Sequence, residues 1–135
     1  MPDKSQDRAA IEQVFHKYLQ SLNGADVELA SQAWLQSPDI EVVTPIGRFK
    51  GWESVKKDIY IRGMQQFAER NVEASNVSIL IADDAAWLVY DFVYTAKRAD
   101  GEALTFKGWE SHGYQRTANG WRIVQLHYSV PPPSS

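Results

Sequence analysis

The stretch Glu110-Ser111-His112-Gly113-Tyr114 sets a carboxylate, an imidazole and a phenol at two-residue spacing. Side chains alternate between the two faces of an extended strand. Glu110, His112 and Tyr114 therefore share one face, with Trp109, Ser111 and Gln115 on the other. Two residues along a strand span about 6.5–7 Å, so the tips of Glu110 and His112 can meet each other or a common small ligand. A carboxylate that close favours imidazolium and is expected to bring the histidine's titration toward neutrality. Two readings stay open: a usable acid–base pair or ligand anchor, and a satisfied polar pair in a wet cavity with no catalytic part. An isolated Glu-x-His on a strand does not separate them.

Tyr18 is the next candidate. It lies on the apolar face of the first helix, either as a core aromatic or with its hydroxyl at a cavity edge. His16 falls off that apolar stripe and is expected in solvent. On the last strand Tyr128, Leu126 and Val124 share a phase and are expected to form a pocket floor. Trp121, Ile123, Gln125 and His127 then point away, making His127 structural or interfacial. The three histidines form neither HExxH nor His-x-His, so no metal is expected. No GxSxG elbow and no phosphate-cradling glycine loop occurs, and no cofactor is expected. The absence of cysteine removes disulfides, thiolate metal sites and a Cys nucleophile. A net charge of −3 without a Lys/Arg cluster argues against nucleic-acid binding. The start MPDKSQDRAA has no apolar signal core, and no stretch approaches the ~18 apolar residues of a membrane span. A soluble cytoplasmic protein with no membrane partner is the expectation.

The elements that must position these groups follow from periodicity. At 135 residues with 44% hydrophobic side chains the chain suits one domain over 1–135, with an ordered core from about residue 5 to 129, beyond which VPPPSS cannot extend a ladder. Ile11, Val14, Phe15, Tyr18, Leu19 and Leu22 recur as one helix face requires, predicting a helix over Asp7–Leu22. Gly24 is expected to cap its end and Asp26 to cap a second helix, VELASQAWLQ. IEVVTP reads as a strand closed by Pro45.

The hexapeptide FKGWES then appears twice, at 49–54 and 106–111. The first copy opens a third helix, VKKDIYIRGMQQF, with Trp52, Val55, Ile59, Met64 and Phe67 near one face. The second lies inside ALTFKGWESHGYQRT, between the turns ADGE and ANG, and is expected to be extended. Flanking residues share nothing over the ~20–50 residues of a true repeat unit, so the match is not an internal duplication. EASNVSILIA, AAWLVYDFVYTAKR and GWRIVQLHYS complete four strands in hairpin succession. Helices followed by an antiparallel meander predict an α+β domain, with three helices packed on a curved, mainly antiparallel sheet that encloses a conical pocket.

AAWLVYDFVYTAKR is apolar on both faces, Trp87, Val89, Asp91 and Val93 against Leu88, Tyr90, Phe92 and Tyr94. Which set lines the pocket is left open by the pattern, but both must be covered. A homodimer packed sheet to sheet is therefore expected. Asp91 is then an interface polar group or, in the opposite phase, a pocket acid.

The order of elements, with YLQSLNGAD, PDIEVVTPIG and GWRIVQLHYS, resembles the nuclear transport factor 2-like superfamily, including SnoaL-like proteins, ketosteroid isomerases and the calcium/calmodulin-dependent kinase association domain. The resemblance spans roughly residues 7–129 and implies the cone fold and the dimer. It places Tyr18 where the isomerases hold a hydrogen-bond donor for an enolate, His112 approximately where they hold a protonated aspartate, and Tyr128 on an aromatic wall. Where they carry the general base, this chain has Thr44, and a hydroxyl does not replace a carboxylate in removing a carbon-bound proton.

The resulting expectation is a pocket for a small, partly apolar organic molecule, gripped at its carbonyl or carboxylate by Tyr18 and His112, with Glu110 or His112 as base. Thr44, Tyr128, Leu126, Tyr114, Phe92, Trp34 and Tyr60 are expected to line it. The chemistry is that of a non-steroid isomerase, lyase or cyclase-like enzyme; the alternative is a ligand-binding or oligomeric association module without turnover.

Overall fold

A computed structural model describes residues 4–132; residues 1–3 and 133–135, which include the end of the VPPPSS tail, lie outside the described residues. Helix α1 (Lys4–Gly24) buries Ile11, Val14, Phe15, Tyr18 and Leu22, the expected stripe, and adds Ser21 and Asp7. Its end differs from expectation in one residue. The left-handed backbone falls on Ala25 (φ 47), not on Gly24, and a non-glycine there costs roughly 1–2 kcal/mol. The chain reverses there, with Asp26 N–H bonded to Ser21 O at 2.9 Å, and α2 (Val27–Ala33) begins at once. As expected, Asp26 caps it, its carboxylate accepting from Leu29 N–H at 3.0 Å. α2 stops at Ala33, earlier than the sequence pattern suggested, because Trp34 and Leu35 are drawn onto the sheet: Leu35 N–H donates to Ile123 O at 3.0 Å.

Six strands follow: β1 (Glu41–Thr44), β2 (Gly47–Lys50), β3 (Glu69–Ala82), β4 (Ala85–Lys97), β5 (Ala103–Thr117) and β6 (Gly120–Ser129). They form one sheet in the order β2-β1-β6-β5-β4-β3, antiparallel except where β1 runs parallel to β6. The expected α+β cone with a curved, mainly antiparallel sheet is therefore the fold. β2 was not foreseen, since the four residues Gly47–Lys50 are too few to show a period. Between β2 and β3, α3 (Trp52–Ser54) continues into a π-helix over Val55–Met64. Its wider turn shows in Gln65 N–H bonding to Tyr60 O, five residues back, at 3.0 Å. Val55 and Tyr60, also five apart, are both fully buried.

Two irregularities shape the sheet. β3 shifts register against β4 between Ser75 and Ser78. β6 leaves Val124 unpaired opposite the Gly113–Tyr114 step of β5. Such bulges bend a strand and restart its alternation. The second corrects the expected phase of β6: Leu126 and Tyr128 do face the helices, but so do Trp121 and Ile123, 3% and 0% exposed. At the far end of the sheet, Arg116 of β5 clamps α1, donating to both oxygens of Asp7 at 2.8 and 2.7 Å and lying 4.6 Å over the Trp121 ring. The guanidinium holds the Asp7 carboxyl below its ordinary range.

β4 resolves its two faces. Leu88, Tyr90, Phe92 and Tyr94 are buried beneath the helices, whereas Trp87, Val89 and Val93 stand exposed. Asp91 belongs to the outer set, within 3.4 Å of Asn76, and is not a pocket acid. No helix among the described residues is long and apolar enough to cross a membrane.

Candidate functional site

The concave face of the sheet and the helices enclose a cavity of about 150 Å³, comparable to an apolar cavity that accepts one benzene-sized molecule. Each wall comes from a different element. α1 contributes Tyr18 and Leu22, the end of α2 Trp34, the π-helix Asp58, Tyr60 and Met64, and the sheet Phe92, Phe106, Glu110 and Tyr128. The lining is overwhelmingly apolar and aromatic, with two carboxylates.

Glu110 is the chemical centre. It is 6% exposed and paired in register with Tyr90 on β4 and Tyr128 on β6. The Tyr90 hydroxyl donates to Glu110 Oε2, and His112 Nε2 lies 2.7 Å from the same oxygen. A carboxylate only accepts, so Nε2 carries the proton. His112 Nδ1 in turn lies 2.9 Å from the Tyr114 hydroxyl. The Tyr18 side chain lies beside Glu110 and Tyr90, close enough for their charges to act on its phenol. Tyr18 stands edge-on to His112 with ring centroids 4.7 Å apart. Glu110 is thus held by the Tyr90 phenol and the His112 imidazole, with the Tyr18 ring alongside, as a buried polar group requires.

The phenols are held neutral. Burial first, and the charge of Glu110 second, push Tyr18, Tyr90 and Tyr114 well above the usual phenol range. Tyr60 is pushed up to about 12 by burial. It is fixed by Ser21 Oγ at 2.7 Å and by Trp34 Nε1–H, which donates at 3.2 Å. At neutral pH these side chains are hydrogen-bond donors, not anions.

Of the residues singled out in the sequence, Tyr18, Glu110, Trp34 and Tyr60 line the cavity. So do Thr44, Phe92, Leu126 and Tyr128, and the Thr44 hydroxyl donates to Gly47 O at 3.3 Å. His112 and Tyr114 do not. They lie behind Glu110, 2% and 1% exposed, where Phe15, Tyr18 and Tyr90 enclose the imidazole. The expected face-sharing of Glu110, His112 and Tyr114 is present, but the cone narrows along β5 and α1 closes over its deeper end. His112, expected to grip a ligand directly, is absent from the lining, and Glu110 stands between it and the cavity. His16 and His127 are exposed. Among the described residues no cluster of three His, Cys, Asp or Glu side chains is arranged to hold a metal.

The lining or anchoring residues missed as site members include Tyr90, Tyr94, Phe106 and Asp58. Tyr90 was legible in principle. The β4–β5 hairpin pairs Lys97 with Ala103, and counting back in that register sets Tyr90 opposite Glu110. Asp58 had no such signal, because its direction depends on the π-helix.

The SnoaL-like domain model matches residues 11–133, and the chain belongs to that family. No curated protein matches the sequence. Among solved structures, a nuclear transport factor 2-like superfamily protein from Salmonella enterica is 29% identical with a TM-score of 0.93, covering 98% of this chain and 96% of that one. The Kfla4162 protein of Kribbella flavida superposes with a TM-score of 0.85 at 15% identity, over 96% and 94% of the two chains. The hexachlorocyclohexane dehydrochlorinase LinA-type3 of Novosphingobium barchaimii superposes with a TM-score of 0.81 at 16% identity, over 96% and 89%. The last two likenesses show the shared fold.

Proposed function

We propose that the protein binds a small, one-ring-sized carbonyl compound in this cavity and moves a proton on it, as an isomerase or lyase. The observation that carries the reading is a buried carboxyl group, Glu110, beside a neutral phenol, Tyr18, in a largely apolar cavity. In this scheme Glu110 removes a proton from the carbon next to the carbonyl, and the electron pair moves onto the carbonyl oxygen. The Tyr18 hydroxyl donates to that oxygen and stabilises its charge in a water-poor setting. Oε1 of Glu110, engaged by neither Tyr90 nor His112, takes the incoming proton. The proton then returns to another carbon, or the pair expels a neighbouring leaving group. His112 and Tyr90 are positioning residues: both bond Oε2 and fix the rotamer of the carboxylate. Glu110 thus takes the part that a carboxylate at Thr44 would have played.

The test is a thermal-shift screen of small cyclic ketones and aldehydes, with hits followed by NMR for proton exchange or conversion. Turnover is expected to fall by about 10²-fold or more in Glu110→Gln, with Tyr18→Phe also impaired and both variants folded. Binding without exchange or conversion in the wild type removes the catalytic part of the proposal and leaves a ligand-binding module.

A second reading concerns the outer sheet face, where Trp87, Val89, Val93 and Trp109 form an exposed apolar surface, each between 39% and 51% exposed. Such a contiguous surface is unusual on a monomer. We propose that a second copy covers it, giving a homodimer. Sedimentation analysis is expected to show a dimer that Trp109→Glu weakens; a monomer at micromolar concentration overturns this.

A further inference from the structure

The charge pattern of the cavity restricts its ligand further. Its lining contains Glu110 and Asp58 and not one Lys, Arg or His side chain. The nearby cations stay outside that lining, Arg70 among them with its Nε buried and unpartnered. Arg62, 68% exposed, meets Asp58 at 3.3 Å from the solvent side. The Arg70 guanidinium, close enough to Tyr94 to influence it, donates through one nitrogen to Met64 O and Phe67 O at 3.0 and 2.5 Å. His112 is sealed behind Glu110. An anionic ligand would therefore lose its water and meet two carboxylates with no compensating charge, the costly case for ion burial.

An organic cation meets the opposite situation. Tyr18, Trp34, Phe49, Phe92, Phe106 and Tyr128 present aromatic rings around the cavity, and aromatic faces attract cations through their quadrupole, more strongly when water is excluded. Asp58 is only partly engaged, taking Ser54 Oγ–H at 2.8 Å on one oxygen and the exposed Arg62 on the other. On Glu110 the Tyr90 and His112 bonds converge on Oε2, so Oε1 receives neither.

We infer that the ligand carries a protonated amine or comparable organic cation, seated among the aromatic rings against the Asp58–Glu110 carboxylates, and that carboxylate and phosphate compounds are rejected. The inference rests on reading the cavity as a small-molecule site. It narrows the substrate class to amino-substituted carbonyl compounds and replaces the sequence expectation that a ligand carboxylate is gripped there.

A matched one-ring series tests it: benzylamine, benzyl alcohol and benzoate, titrated into the full chain at neutral pH and read by thermal shift and calorimetry. The amine is expected to bind about tenfold or more tighter than the alcohol, and benzoate to give no shift. Asp58→Asn and Glu110→Gln are each expected to shrink the amine-to-alcohol ratio, while Glu53→Gln, on an exposed side chain, leaves it unchanged. Alcohol binding as tightly as amine overturns the cation inference but keeps the small-molecule reading. Benzoate binding best, no response to any of the three, or an amine preference indifferent to both cavity variants also overturns it. The ketone and aldehyde screen above stands independently of these outcomes.

Discussion

The two copies of FKGWES place the same six residues in opposite surroundings. Phe49 and Phe106 both reach the cavity, and there the likeness ends. Gly51 has φ 90 and starts a helix, whereas Gly108 lies inside β5, where a Cβ would come within 2.0 Å of Ser129 O. Trp52 is 7% exposed and Trp109 51%. Glu53 is a solvated partner of Lys56; Glu110 is the buried carboxylate of the site. Ser54 steadies Asp58, and Ser111 faces outward. A residue type acquires its role from the period of its element and from what covers it, and the hexapeptide carries neither.

The largest effect that would sharpen this contrast comes from the tryptophans. Trp52→Ala is expected to cost about 3–5 kcal/mol in denaturant unfolding. Trp109→Ala in the monomer is expected to stay within about 0.5 kcal/mol. Equal losses would mean that the two environments are not as different as they look.

The glycines come next. Gly108→Ala must displace backbone of β6 and is expected to cost about 2–3 kcal/mol. Gly51→Ala has 3.3 Å to Pro38 O but a left-handed φ, and is expected to cost about 1–2 kcal/mol. A neutral Gly108→Ala would break the close approach of β5 to the end of β6.

The glutamates separate on a titration. All six tyrosines have raised pKa values, burial being the largest cause for each. A phenol whose folded pKa exceeds its unfolded value contributes stability that is complete below about pH 10 and lost as pH rises through the folded pKa. Ultraviolet titration should therefore show tyrosine ionising only together with alkaline unfolding. Glu110→Gln removes the negative charge facing Tyr18, Tyr90 and Tyr114 and is expected to move that transition measurably, whereas Glu53→Gln leaves it in place. Identical curves would contradict the central position of Glu110.

The smallest difference is expected where the copies agree. Phe49→Leu and Phe106→Leu should each cost under about 1.5 kcal/mol and alter ligand responses in the thermal-shift screen to a similar degree. A ligand effect confined to one of them would divide the cavity into an occupied half and an empty one.

Much of the fold was legible in the order of residues. Helix α1 followed from Ile11, Val14, Phe15 and Tyr18, because an apolar period of 3.6 residues sustained over several turns puts one continuous stripe on a helix and scatters over both faces of a strand. β5 and β6 carried their limits in the turns ADGE and ANG. The shared face of Glu110, His112 and Tyr114 followed from alternation alone. What failed did so at local irregularities: the unpaired Val124 reversed the phase expected for Trp121 and Ile123, the π-helix turned Asp58 toward the cavity, and the four residues of β2 were too short to signal a strand.

The sequence by itself determined the elements, the α+β order and the set of groups able to do chemistry, since these depend on periods and side-chain types within one segment. Only the tertiary structure decided that Glu110 reaches the cavity while His112 is sealed behind it. Both lie on one face of β5, but Phe15 and Tyr18 of α1 pack over the His112 ring. Burial is a property of two elements at once, and no pattern along one of them contains it.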